Sequence, residues 1–171
     1  MKKILKISFP WSTNQNIHPA YECLRQVLIH YGYTLSYDEL MQIVPKGVNE
    51  ILENFRYIAE KYALTLDIKS GNFQDFISAL ERYKITIFSW KFENPKEDQV
   101  IHSYKDADHY SIAHACTESY VFFSSSENMV SQFIDKELRY YSYSGARSDF
   151  IEIGKIKILK QYILDKKLQH L

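Results

Sequence analysis

Lys84-Ile85-Thr86-Ile87-Phe88-Ser89-Trp90 is the stretch on which the fold turns. Its β-branched and aromatic residues alternate with a period of two, the pattern of a strand. Upstream the period is different. From Pro19 the apolar positions run Ala20, Cys23, Leu24, Val27, Leu28 and Tyr31, the stripe of a helix buried on one face. Pro19 suits a first helical position, where its missing N–H costs nothing, and Gly32 suits the left-handed cap that ends the helix. Ser36 with Glu39 three residues on forms a capping box, and Pro45-Lys46-Gly47 breaks the short helix that follows. Val48, Ile51, Leu52, Phe55, Ile58, Ala59 and Tyr62 give the strongest helical stripe in the chain. Leu64 to Ile68 alternates as a strand, and Gly71-Asn72 opens a helix over Phe73, Phe76, Ile77 and Leu80.

Downstream of Trp90 the strand pattern persists. Residues 91–108 are polar and charged and read as a long exposed loop. His109 to Cys116 and Tyr120 to Ser124 read as strands joined by Thr117-Glu118-Ser119. Leu138 to Tyr143 and Phe150 to Ile153 read as two more, and the Lys-rich tail from Leu159 as a last helix. Helices first and an antiparallel sheet afterwards predict an α+β domain, with the N-terminal helices packed against the sheet.

The composition bounds what such a domain does. The 171 residues suffice for one domain; 46% are hydrophobic, and 21 basic residues balance 21 acidic ones. Zero net charge removes the basic excess that nucleic acid requires, so no nucleic-acid partner is expected. No apolar run reaches the 18 or so residues of a membrane span. The opening Met1-Lys2-Lys3-Ile4-Leu5-Lys6-Ile7 has a basic head, but Lys6 and Ser12-Thr13-Asn14-Gln15-Asn16 cut it short of a signal peptide. Two cysteines, Cys23 and Cys116, are too few for a disulfide framework, so a reducing cytoplasm is expected.

An N-terminal helix closed by Tyr31-Gly32, a second helical pair, and a strand opening with His109-Tyr110 together resemble a known family. They are similar to the papain-like cysteine peptidases that trim double-glycine leaders from bacteriocins. The resemblance spans about residues 13 to 143, leaving residues 144–171 as a C-terminal extension of a single domain. It implies a papain-like fold and a cleft between the start of the first helix and the His109 strand. In that family the nucleophilic cysteine stands thirteen residues before the glycine of the Tyr-Gly pair, a slot occupied here by Pro19. The family's oxyanion glutamine corresponds to Thr13, with Gln15 close by. His109 matches the base, and Ser125 stands where an aspartate orients it.

A thiol hydrolase needs its sulfur at a helix N-terminus, where free N–H groups favour thiolate, and an oriented histidine within reach. Proline offers neither an ionisable atom nor an N–H. The resemblance therefore implies a catalytically silent homologue that binds a peptide or protein segment in the former cleft. Gln15, Asn16, His18, Pro19, His109, Tyr110 and Ser125 are expected to line that cleft, and no cofactor is expected. Two alternatives stand beside it. One is a cysteine hydrolase or acyltransferase with Cys23, a turn inside the helix, as nucleophile and His109 as base. The other is an interaction or immunity-type protein that uses Tyr140, Tyr141 and Tyr143. His102, His114 and Cys116 lack the paired spacing of a zinc site, so no metal is expected.

Overall fold

The computed structural model describes residues 9, 11, 17–45, 47, 49–83, 85–93, 109–125, 128–144 and 149–167. Four helices, α1 (Pro19–His30), α2 (Tyr37–Ile43), α3 (Ile51–Lys61) and α4 (Phe73–Tyr83), occupy the first half, with strand β1 (Leu64–Lys69) between the last two. Six strands follow: β2 (Thr86–Phe92), β3 (His109–Cys116), β4 (Tyr120–Ser125), β5 (Asn128–Asp135), β6 (Arg139–Ser144) and β7 (Asp149–Lys166). The expected class, helices with an antiparallel sheet, is what the chain forms. Of the expected 91–108 loop, residues 91–92 belong to β2 and residues 94–108 lie outside the described residues.

Local sequence explains the helix ends. Pro19 is the first residue of α1, and Gly32 follows it at φ +94°, where its N–H bonds the Ile29 carbonyl. The Ser36–Glu39 capping box forms as the spacing predicts, with bonds of 2.6 and 3.2 Å. The Tyr31 hydroxyl donates to the Leu164 carbonyl at 2.6 Å, tying the end of α1 to β7 across 133 positions of sequence.

The sheet differs from an open one. Its order is β1-β7-β2-β3-β4-β5-β6, and β6 pairs again with β7, so the strands from β2 to β7 close into a ring. Every pairing is antiparallel. Closure depends on the 18-residue β7, whose first half pairs with β6 and whose second half lies between β1 and β2. Trp90 on β2 and Tyr140 on β6 are not strand neighbours, yet their rings sit 5.5 Å apart across the inside of the ring.

Two findings depart from the sequence reading. The tail from Leu159 is strand, because Gln161 to Leu164 is buried on both sides between β1 and β2. A strand covered on both faces loses its alternation and resembles an apolar helix. The second is β5, whose Asn128–Asp135 sequence mixes polar and apolar residues and gives no strand signal.

The core has two parts on opposite faces of the sheet. Ile87, Tyr110, Ile112, Tyr162 and Leu164 meet α1, α2 and α3 on one face. Phe88, Trp90, Phe92, Phe123, Ile134 and Tyr140 fill the ring interior, and Phe76, Ile77 and Leu80 of α4 pack against them. Because β2, β3 and β7 contribute to both, alternate residues of each strand serve different cores.

Candidate functional site

The start of α1 is where the resemblance puts a cleft. His18 is its N-cap: the His18 Nδ1 accepts the Ala20 N–H at 3.3 Å, and the His18 N–H donates to the Tyr37 hydroxyl oxygen at 2.9 Å. The N–H groups of Tyr21 and Glu22 both bond the His18 carbonyl at 3.1 Å. Pro19 has no N–H. The first turn has therefore committed its donors internally, and none is left to polarise a carbonyl or hold an oxyanion.

Around this cap the side chains are aromatic. The His18 ring meets Tyr21 edge-on at 5.3 Å, and Tyr110 of β3 lies 6.3 Å away. Burial holds the His18 imidazole below its ordinary pKa, which keeps it neutral and able to accept the Ala20 bond. One turn further in, the buried Glu22 carboxylate takes bonds from Arg25 at 2.7 and 2.8 Å and from Gln26 at 2.8 Å. Arg25 also donates to the Leu35 carbonyl, fixing the α1–α2 turn.

The remaining expected residues are divided by the sheet. His18, Pro19 and Tyr110 come together at the α1–β3 junction. Cys23 is fully buried in the core between α1 and the sheet, with no surface exposed. His109 stands on the opposite face of β3, stacked on Trp90 at 4.6 Å and 29°, with Phe92 6.1 Å away. Cys23 and His109 thus belong to different halves of the core, a placement that gives their pairing as nucleophile and base no support. Ser125 also faces the ring interior, since Val121, Phe123 and Ser125 are the buried alternates of β4. It shares that face with His109 and with Ser111, whose hydroxyl accepts the Trp90 Nε1–H at 3.0 Å. Gln15, Asn16, Thr13 and His102 lie outside the described residues.

One imidazole–hydroxyl contact escaped the sequence reading. His114 Nε2 lies 3.3 Å from Ser124 Oγ on neighbouring strands, two alternations down the strand from Tyr110. The β3–β4 register carries the signal, but the bulge between Ala113 and Ala115 hides it. Burial pushes His114 down to about 4, which makes it a weak base. Cys116 lies 4.0 Å from the Ile77 carbonyl, and burial raises its thiol. Among the described residues no three His, Cys, Asp or Glu side chains converge as a metal site would require.

The tyrosines of β6 are divided as well. Tyr140 is buried in the ring, 5.6 Å from Phe123. Tyr141 lies outside it, stacked on Phe133 at 4.7 Å and 16°, and Phe133 in turn meets Tyr120 at 5.1 Å and Phe122 at 6.0 Å. Asp135 anchors the end of this row, accepting from Arg139 Nε at 2.8 Å and from the Tyr141 hydroxyl at 3.1 Å.

No protein-family model matches the chain, and no curated protein sequence matches it. Among solved structures it is similar to the peptidase domain of Streptococcus ComA, a bi-functional ABC transporter involved in a quorum-sensing pathway. That similarity has 12% identity and a TM-score of 0.49, and it covers 86% of this chain and 90% of the other. Among the described residues no helix is long and apolar enough to cross a membrane.

Proposed function

We propose that this chain is a binding domain that keeps the papain-like helix-then-sheet plan without its hydrolytic chemistry. The ligand is a peptide or protein segment, held where the start of α1 meets β3, against His18, Pro19 and Tyr110. The observation that carries the reading is the commitment of the first turn of α1: Pro19, where the resemblance would put the nucleophile, has no N–H, and the N–H groups of Ala20, Tyr21 and Glu22 are bonded to His18. Burial of Cys23 and the turning of His109 into the ring support it further. His18 and Pro19 are half-buried, so their outer faces offer the contact surface, backed by the buried rings of Tyr21 and Tyr110. The two free thiols fit work in a reducing cytoplasm.

The test uses a synthetic peptide ending in two glycines, followed by NMR and mass spectrometry. Expected are shifts confined to His18, Tyr21 and Tyr110 with the peptide recovered intact. Cleavage, or acyl transfer that disappears in Cys23→Ala, overturns the reading.

The outer aromatic row favours a second reading, an interaction protein that uses β4, β5 and β6. Tyr141 and Tyr120 are its anchors. Loss of partner binding in Tyr141→Ala with the peptide shifts unchanged supports it.

A further inference from the structure

Each strand of the ring has neighbours on both sides; among the described residues β1 has only β7. Half of its six residues therefore aim N–H and C=O groups away from the sheet. Edges of this kind are ordinarily blunted by proline, a bulge or a covering element. β1 has no proline, and its register with β7 runs unbroken from Leu64 to Lys69.

Beside the last residues of this edge, Ile68 and Lys69, lies a groove of about 620 Å³. Its other wall is one face of α4: Asp75, Ser78, Ala79 and Arg82, at the spacing of a single helical stripe. The charges in it are unequal. The Asp75 carboxylate already accepts the Asn72 N–H at 2.9 Å. Among the described residues Lys69 meets only the exposed Asp67 carboxylate, at 3.6 Å. The Arg82 guanidinium carbon lies over the Tyr83 ring, 5.1 Å from its centroid, and among the described residues no carboxylate forms an ion pair with it.

We propose that the β1 edge and the α4 groove form a docking site for an extended peptide segment bearing a carboxylate. The segment adds as a strand to β1 through backbone bonds, and its carboxylate is taken by Arg82 with Lys69 alongside. The site is independent of the α1–β3 junction, since β7 and β2 separate β1 from β3.

The experiment uses the full chain and a fluorescein-labelled heptapeptide of alternating valine and threonine that ends in glutamate with a free carboxylate. Anisotropy measures binding, and hydrogen exchange locates it. Expected are saturable binding, slowed exchange in β1, and a loss of roughly fivefold in Arg82→Gln, the size of one exposed ion pair. A glutamine-ended, amidated peptide is expected to bind both proteins equally weakly. Binding that is absent at millimolar peptide, indifferent to Arg82→Gln, or accompanied by protection at β3 without β1 overturns the proposal. Protection at β1 with no shift at Tyr110 separates this site from the junction.

Discussion

Pro19 brings no N–H to the start of α1, and the His18 ring completes a closed cap there, since Nδ1 holds the Ala20 N–H and the carbonyl holds two more. That cap needs a neutral imidazole. His18, His30 and His114 are all held below the ordinary histidine value, chiefly by burial. A folded-state pKa below the unfolded one means stability that is complete above about pH 6.5 and lost as the pH falls toward the folded value. For His114, whose folded value is about 4, the loss accumulates between those limits and reaches roughly 3 kcal/mol. Urea titrations at about pH 7.5 and 4.5 check this. The midpoint is expected to fall with pH in the native chain and to fall less in His114→Gln; equal falls would contradict it. At this scale the sequence was informative about Pro19 as a first helical residue, because a helix start has a local signature, but not about His18 as its cap. It put His109 in the cleft beside Tyr110, whereas the side chain stacks on Trp90 on the other face of β3; that side depends on which parity of β3 faces the helices, set by partners far away in sequence.

Among the elements, β7 is the one whose sequence misleads. Its stretch from Gln161 to Leu164 is covered on both faces, so Gln161 is 1% exposed and lies level with Phe88 on β2 and Lys69 on β1. Among the described residues neither its amide nitrogen nor its amide oxygen has a hydrogen-bond partner. A buried, unsatisfied amide is costly, so Gln161→Leu is expected to stabilise the fold by about 1–3 kcal/mol, read from the urea midpoint. A destabilised variant would mean that the amide is satisfied. The helices α1, α2 and α4, by contrast, are legible from caps and stripes. β5 is not, because its inward Gln132 and Ile134 alternate with outward Phe133, leaving no polar–apolar contrast to read.

For the molecule as a whole, closure of the ring is the property that sequence periodicity does not carry. Periodicity identifies strands; the second pairing of β6 with β7 depends on the length of β7 and on Trp90 and Tyr140 meeting across the interior. Since β2, β3 and β7 supply residues to both halves of the core, neither half has a sheet of its own. The chain is therefore expected to unfold in one cooperative step, with near- and far-ultraviolet circular dichroism changing at the same denaturant concentration. Separate transitions would contradict a shared sheet.

The proposed binding role requires that Cys23 form no thiolate beside His109, and Cys23 reports on that directly. Its rate of alkylation by iodoacetamide, followed by mass spectrometry against pH, is the measurement. Cys23 is expected to react only as fast as the whole chain unfolds, with urea accelerating it in step with the loss of structure. Rapid labelling of the native protein, with a rate that titrates near neutral pH and drops in His109→Ala, would contradict it.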